Sequence, residues 1–471
     1  MRKPDLTRGS KALVTATTGA DTSAEPPNTT GRHIVVFREG GIEEGIKLLE
    51  GAGLKVAISK SSTPDVLKED EAGDADVIVF PTVGVALVGA EAEQILQLKN
   101  IAADSGSPFL TVKDEKIRYA LPYAATVLDD AARGAANNAI SYDYLRGYQS
   151  AVGHLVGELT NANGAGPLQR IVPLSTPDES QATWGLQATR VLASKYSGRG
   201  IKVAVLDTGF DFTPDATGKQ IFHPDFNGRV IVTQSFVTGA QSAKDGHGHG
   251  THCIGTACGP ARPSALPRYG IAYDAEIYVG KVLSDLGGGA DGWIIAGIEW
   301  AIKNGCQVVS MSLGSPKNTG DTFNEAYENV ARRALDAGTL IIAAAGNESG
   351  RPDSVAPVDG PADCPSIMAV AAIDSDFQLA SFSNGGINPN GGEVDVAAPG
   401  VSVYSSFLMP TGHSRKSGTS MATPHVAGLA ALYAEANSGA GGRALWKMIT
   451  DHARKLPFAP QDAGTGLVQA P

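Results

Sequence analysis

A glycine-flanked serine stands late in this chain, directly before a run of small apolar residues. Residues 418–425 read Gly-Thr-Ser-Met-Ala-Thr-Pro-His, and residues 426–432 read Val-Ala-Gly-Leu-Ala-Ala-Leu. The second run predicts a buried helix, with Ser420 at its start and Pro424 in its first turn, where a missing N–H costs least. Unpaired backbone N–H groups at a helix N-terminus favour a negative oxygen that develops nearby. Ser420 is therefore either a nucleophile or an ordinary N-cap residue.

A serine becomes a nucleophile only when an oriented base removes its proton, and two further segments supply candidates. Residues 201–206 are a short apolar run that predicts a buried parallel strand, and this run ends in Asp207. Ligands bind outside the carboxyl ends of such strands, although an Asp two residues before Gly209 can also start a turn. His249 and His252 stand in a glycine-rich segment that enters a small-residue helix. No set of cysteines or carboxylates around them in the sequence completes a zinc site.

These segments resemble, in the same order, the three signature blocks of the subtilisin-like serine proteases (the subtilase family, peptidase S8). The blocks are residues 205–209 (Val-Leu-Asp-Thr-Gly), 249–252 (His-Gly-Thr-His) and 418–424. Segments at 293–301, 311–314 and 343–348 resemble the family's intervening segments, and the resemblance runs from about residue 183 to the end. It implies a doubly wound, mostly parallel α/β sheet and a serine endopeptidase that works through an acyl-enzyme.

The resemblance assigns a role to each matching residue. Ser420 is the nucleophile, His249 is the general base and later the general acid, and Asp207 orients His249. Asn347 and the Ser420 backbone N–H would donate to the oxyanion, whereas His252 is structural. The substrate-binding candidates are Ser312, Leu313, Gly314, Gly346 and Asp359, with residues 283–289 as the opposite edge of the cleft.

Asp359 is placed by its spacing from Pro361 and Pro365 near the base of the pocket for the residue before the scissile bond. A carboxylate there predicts that Lys or Arg is tolerated or preferred in this pocket. The alternative is a turn aspartate in the sequence Val-Asp-Gly.

Four segments are predicted along the chain. Residues 1–30 are polar, which is typical of a disordered tail. Residues 31–121 show the order βαββαβ, with the second strand at 54–59 and the third at 77–80 and 83–88, interrupted by Pro81, and predict a small α+β ferredoxin-like domain. The resemblance implies that this domain is a subtilase propeptide that assists folding and inhibits, and the alternative is an unrelated ferredoxin-like module. Residues 122–182 predict a linker with one helix at 142–159, and self-cleavage is expected between residues 119 and 180. Residues 183–471 predict the catalytic domain, in which the runs at 201–206, 277–283, 307–312 and 339–345 predict buried parallel strands.

The formal net charge of −11 argues against nucleic acid or an anionic membrane as a partner. No run approaches the roughly 18 apolar residues of a membrane span. We expect protein or peptide substrates, the propeptide as an intramolecular inhibitor, and a monomer. Residues 11–16 are too short for the apolar core of a secretory signal, which leaves a cytoplasmic enzyme or an export route that the sequence does not reveal.

No cofactor is expected for the chemistry. Asp225 stands where many subtilases have a calcium ligand, but a proline-rich segment at 258–269 replaces the loop that usually supplies the other ligands. Calcium takes about six to eight oxygens, so structural calcium stays an open expectation. Cys253 directly follows the histidine block, as in a thiol-containing branch similar to proteinase K, and should lie beneath His249. The cysteines show no tight spacing, which predicts mostly free, buried thiols.

Two other functions fit the same residues. One is a catalytically silent subtilase-like scaffold that binds without cleaving, and the presence of all the triad residues and Asn347 argues against it. The other is an acyl transferase or ligase, because water and an amine compete for the same acyl-enzyme.

Overall fold

The structure is a computed structural model that describes residues 29–60, 65–121, 177–215 and 217–471. The predicted tail at 1–30, apart from its last two residues, lies outside the described residues. So does most of the predicted linker at 122–182, including its helix at 142–159. The described residues form two seven-stranded sheets and two two-stranded sheets.

The strands in chain order are β1 (Thr29–Phe37), β2 (Val56–Ile58), β3 (Val77–Phe80), β4 (Val85–Val88), β5 (Phe109–Ala120), β6 (Lys202–Asp207), β7 (Phe212–Pro214), β8 (Gln220–Phe222), β9 (Ile231–Ser235), β10 (Glu276–Lys281), β11 (Gly288–Ala290), β12 (Val308–Met311), β13 (Leu313–Gly314), β14 (Leu340–Ala344), β15 (Met368–Ile373), β16 (Val396–Pro399), β17 (Val403–Ser406) and β18 (His413–Lys416). The helices are α1 (Ile42–Gly51), α2 (Ala92–Ala102), α3 (Trp184–Ala188), α4 (His249–Cys258), α5 (Asp291–Lys303), α6 (Glu325–Asp336), α7 (Thr419–Ala436), α8 (Arg443–Asp451) and α9 (Pro460–Ala463).

The larger unit is built on a parallel sheet with the order β16-β15-β14-β12-β6-β10-β9. One face packs against α5 and α6 and the other against α4, α7 and α8. Because both faces are covered, the strands are continuous apolar runs, as in Leu-Ile-Ile-Ala-Ala of β14. The predicted doubly wound α/β fold is confirmed. The strands predicted at 201–206, 277–283, 307–312 and 339–345 correspond to β6, β10, β12 and β14.

The smaller unit at the N-terminal side is an α+β sandwich. Its strands lie in the order β5-β1-β4-β3-β2, and α1 and α2 cover one face. Side chains of β1 alternate between the two faces: Val35 and Phe37 pack against these helices, and Ile34 and Val36 pack toward α5 and α6 of the larger unit.

The strand prediction for this unit needs two corrections. The second strand, predicted at 54–59, is only the three-residue edge strand β2. The third, predicted as one interrupted strand, is the antiparallel hairpin of β3 and β4. The chain reverses between them at residues 81–84, where Pro81 ends β3 and Gly84 has a φ of +67° that favours glycine. The order is therefore βαβββαβ.

A buried carboxylate joins the two units at the start of α5. Glu115 of β5 accepts a hydrogen bond from the Gly292 N–H (2.8 Å) and pairs with Arg32 (2.7 Å). A carboxylate at a helix N-terminus is favoured by the unpaired N–H groups and the helix dipole. The end of β5 is thereby anchored beside the cleft of the larger unit. None of the described helices has the length and apolar character needed to cross a bilayer.

Candidate active site

Ser420 is the second residue of α7 and is fully buried. The prediction that Pro424 lies in the first turn is wrong, because α7 begins at Thr419 and Pro424 is an interior residue. Its missing N–H leaves the Ser420 carbonyl without the usual helical donor. That carbonyl instead accepts hydrogen bonds from Ser312 Oγ (2.9 Å) and Cys253 Sγ (3.5 Å). The proline therefore leaves the Ser420 carbonyl free to bind two neighbouring elements.

Asp207 and His249 meet where β6 ends and α4 begins. His249 Nδ1 lies 2.8 Å from Asp207 Oδ1 and 3.0 Å from Asp207 Oδ2, and both side chains are about 1 % exposed. Burial alone would lower the pKa of His249, but the adjacent Asp207 carboxylate raises the pKa well above its usual value. The pair can thus stabilise the imidazolium that forms when His249 takes a proton.

The serine hydroxyl is turned away from the histidine in this state. Ser420 Oγ donates to the Ser312 carbonyl at 3.1 Å. Among the described residues, His249 Nε2 has no hydrogen-bond partner. The contact that would carry the proton from Ser420 to His249 is therefore not made here.

Asn347 holds its side-chain amide toward the cleft. Its Oδ1 accepts from the Thr419 N–H (2.9 Å) and Thr419 Oγ1 (3.0 Å), which fixes the orientation of the amide. Its Nδ2 donates to the Leu121 carbonyl oxygen at 2.6 Å. The Ser420 N–H, the second predicted donor, lies in the first turn of α7, where backbone N–H groups lack intrahelical partners.

The end of β5 occupies this cleft as an added strand. Residues 117–119 pair antiparallel with β11, and residues 119–120 pair antiparallel with β13. The Ala120 N–H donates to the Gly287 carbonyl (2.8 Å), and the Leu121 N–H donates to the Ser312 carbonyl (3.4 Å). The structure thus places the substrate-binding candidates at 312–314 on one side of an extended peptide and residues 287–290 on the other.

Asp359 lies next to the pocket that receives the Leu121 side chain. A Cβ atom built on Gly314 would be 3.1 Å from Leu121 Cδ1 and 3.2 Å from Asp359 Cβ, so Gly314 leaves room for both. Asp359 is buried, and its Oδ1 accepts a long hydrogen bond from Asn384 (3.3 Å). Burial and the nearby Glu348 raise the pKa of Asp359 well above its usual value. Gly346 has a φ of +111° and packs against the same aspartate.

His252 and Cys253 lie behind the catalytic pair. His252 Nε2 is 3.0 Å from the Val403 carbonyl, and burial lowers the pKa of His252 to about 3, so the ring is a neutral structural donor. Cys253 Sγ lies 3.9 Å from His249 Nδ1, beneath His249 as predicted. Cys253 is a free, buried thiol, as are the other three cysteines.

Asp225 is held by protein donors in the described structure. Its carboxylate accepts from Tyr269 Oη (2.6 Å), the Ser264 N–H (2.6 Å) and His413 Nε2 (2.8 Å). These hydrogen bonds lower the pKa of Asp225 even though burial opposes them. Two of the donors come from the proline-rich segment, which fills the space beside the carboxylate. Donors of this kind do not fit a calcium site, which needs oxygen ligands.

Two buried aspartates at the site were missed by the sequence analysis. Asp245 accepts from the N–H groups of His247, Gly248 and Thr251 and so fixes the turn that starts α4. Its position four residues before His249, among glycines, is the signal that could have identified it. Asp291 begins α5 and binds a side chain of β5. Nothing in the local pattern distinguishes it from an ordinary first-turn aspartate.

A sequence profile described as the subtilase family matches residues 198–467. Subtilisin E of Bacillus subtilis (strain 168) is 43 % identical over 248 residues, which are 52 % of this chain and 58 % of that protein. Subtilisin of Bacillus pumilus is 43 % identical over 248 residues, covering 81 % of its own length. Alkaline protease of Alkalihalobacillus alcalophilus is 37 % identical over 290 residues, 61 % of this chain and 68 % of its own length. The chain thus matches somewhat more than half the length of Subtilisin E.

Proposed function

The chain belongs to the subtilase family, and from that membership we propose that it is a serine endopeptidase made as a zymogen, with residues 31–121 as its self-inhibiting propeptide. The observation that carries the proposal is the 2.6 Å hydrogen bond from Asn347 Nδ2 to the Leu121 carbonyl. A donor at that distance from a carbonyl in a substrate-like strand is where an oxyanion would be stabilised. The inhibitor therefore occupies the cleft as a substrate would.

The proposed chemistry uses the arrangement around Ser420. Its Oγ leaves the Ser312 carbonyl and turns to His249 Nε2, which accepts the proton as the oxygen attacks the peptide carbonyl. Asp207 stabilises the imidazolium, and Asn347 with the Ser420 N–H stabilises the oxyanion. His249 then protonates the leaving nitrogen, and water hydrolyses the acyl-enzyme by the same steps in reverse.

We propose that the propeptide is first cut after Leu121, which narrows the range predicted from the sequence. Leu121 supplies the carbonyl that Asn347 contacts, so the bond to Pro122 follows the oxyanion position. The chemistry requires no cofactor. No structural calcium is proposed at Asp225, because its ligand positions are taken by protein donors.

Asp359 supports a proposal about the residue before the scissile bond. Leu121 fills the pocket beside the Asp359 carboxyl, whose pKa is raised by burial and by the nearby Glu348. A Lys or Arg side chain in the pocket would favour the ionised carboxylate instead, and we propose that both apolar and basic residues are accepted. Asp359→Asn should lower the kcat/KM for Lys peptides relative to Phe peptides. An unchanged ratio removes this proposal.

The test of the main proposal is an intact-mass time course of the purified chain beside its Ser420→Ala variant, with casein added. We expect the wild type to lose mass at Leu121 and to digest casein to fragments with free carboxyl termini, while the variant does neither. If fragments are joined to added amines instead of water, the protein is a transferase or ligase. If both proteins stay intact and casein survives, the endopeptidase proposal fails.

A further inference from the structure

Arg118 is a basic side chain that the structure buries in the cleft. It belongs to the end of β5, yet its side chain is only 3 % exposed. Its Nε lies 2.7 Å from Asp291 Oδ1, and its Nη2 lies 3.5 Å from Asp291 Oδ2. Burying a guanidinium is costly unless it is paired and hydrogen-bonded, so the surrounding groups form a site adapted to this charge.

The groups that surround the guanidinium belong mostly to the larger unit. Arg118 Nη1 donates to Ser315 Oγ (2.5 Å) and to the Gly360 carbonyl (3.1 Å). Tyr327 Oη donates to Asp291 Oδ1 (2.9 Å), and the ring of Tyr327 lies 5.3 Å from the Arg118 guanidinium carbon. The tail adds only the Lys116 N–H, which donates to Asp291 Oδ2 (2.9 Å). The pocket therefore remains when another peptide replaces the tail.

The position of Arg118 in the cleft follows from the strand register. Leu121 is the residue whose carbonyl contacts Asn347, and Arg118 is the fourth residue when Leu121 is counted as the first before the scissile bond. Arg118 lies opposite Gly289 of β11, in the same pairing that holds the rest of the tail. A substrate bound in this register presents its fourth residue to Asp291.

We propose that the cleft selects substrates with a basic residue, Arg before Lys, at the fourth position before the scissile bond, and that Asp291 is the residue that determines this preference. This inference rests on the proposed endopeptidase function and adds its substrate class. An apolar side chain at that position would leave Asp291 buried without a cation. Arg is favoured over Lys because its planar guanidinium engages both carboxylate oxygens and stacks on an aromatic ring.

The competing interpretation is that Asp291 serves only to dock the propeptide. Arg118 would then strengthen inhibition, and free peptides would be cleaved equally whatever their fourth residue. The two interpretations predict different results when the fourth residue is varied in a free peptide and the propeptide tail is left unchanged.

The experiment uses the full chain and fluorogenic peptides of sequence X-Tyr-Ala-Leu, where X is Arg, Lys or Leu. We expect kcat/KM for the Arg peptide to exceed that for the Leu peptide by at least about tenfold, as expected when one partner of a buried charge pair is missing. Asp291→Asn should reduce this ratio to near one. Asp336→Asn removes the same charge from the exposed end of α6 and should leave the ratio unchanged. Equal kcat/KM for the Arg and Leu peptides in the wild type overturns the inference.

A second measurement separates failure of this inference from failure of the proposed function. If the wild type hydrolyses no peptide, the endopeptidase proposal fails. The preference for Arg at the fourth position is then tested by peptide binding. Labelled peptides are titrated against the full chain carrying Ser420→Ala and Arg118→Ala, with fluorescence anisotropy as the readout. The tethered tail competes equally with both peptides, so the ratio of Kd values remains meaningful. Tighter binding of the Arg peptide by about tenfold or more, lost on Asp291→Asn, supports the subsite, and equal Kd values overturn it.

Discussion

Glu299 is a buried carboxyl at the contact between the two units, and it should make their association depend on pH. It lies on α5, is fully buried, and its Oε2 accepts a hydrogen bond from the Val83 N–H at 3.3 Å. Among the described residues, its Oε1 has no partner. Burial raises the pKa of Glu299 from 4.5 to about 7. We predict that replacing it with Gln, which mimics the protonated form, strengthens docking at high pH.

The size of the effect follows from the difference between the docked and exposed pKa values. Below about pH 4.5 the carboxyl is protonated in both states, so its ionisation does not oppose docking. Between pH 4.5 and 7 the Glu299 carboxyl is ionised when the units are separated, but it has to stay protonated when they are docked. Docking therefore becomes less favourable as the pH rises through this range. Above about pH 7 the loss is complete. A difference of about 2.5 pKa units corresponds to about 3 kcal/mol, or about two orders of magnitude in the opening equilibrium.

The assay is hydrogen exchange of the Ala120 and Leu121 N–H groups, which donate to the larger unit, in the Ser420→Ala chain with and without Glu299→Gln, because their exchange reports opening of this contact. Comparing the two proteins at the same pH cancels the intrinsic dependence of exchange on pH. We expect similar protection at pH 5 and about 100-fold greater protection of the Gln variant at pH 8. Equal protection at pH 8 would show that burial of Glu299 does not oppose docking.

Three further predictions concern the site and its surroundings. Asn347→Leu should lower kcat about 10²- to 10³-fold with little change in KM, measured on a cleaved peptide; a loss confined to KM would contradict the oxyanion role. Asp225→Asn should weaken the bond to His413 and shorten the half-life of thermal inactivation, and any effect of EDTA on the half-life should be the same in the variant as in the wild type; an EDTA effect that the variant loses would contradict the protein-only assignment of Asp225. Pro122→Ala should speed the first cut after Leu121 in the mass time course, because it removes the ring from the leaving nitrogen, and an unchanged rate would place that cut elsewhere.

The sequence predicts a site residue when one short segment contains both the functional side chain and the residues that determine its backbone structure. Asp207 follows an apolar run that predicts a buried strand, and His249 stands in a glycine-rich segment at the start of a helix. The sequence therefore predicts that these two side chains lie close together. Segment order could not predict that Ser420 donates to the Ser312 carbonyl, because that depends on a side-chain torsion and on what occupies the cleft.

The parts that could not be predicted depend on residues far apart in the chain. Asp291 resembles any acid in a first helical turn until Arg118 is placed beside it by strand pairing. Asp225 could be doubted as a calcium ligand, but its actual donors come from an insertion with no regular pattern. In the smaller unit, the sequence predicts one strand where the structure has the hairpin of β3 and β4, because apolar runs flank the turn on both sides.

The burial of α7 affects how well this protein tolerates substitutions in its interior. Every residue from Thr419 to Ala434 is buried, and the helix that carries Ser420 packs on the parallel sheet and on α4. Ser420 therefore lies on a buried helix and not on a loop that could move independently. A substitution that changes the packing of the interior also displaces the Ser420 hydroxyl. Turnover should then report the integrity of the whole interior, and a screen for activity would in effect also be a screen for correct folding.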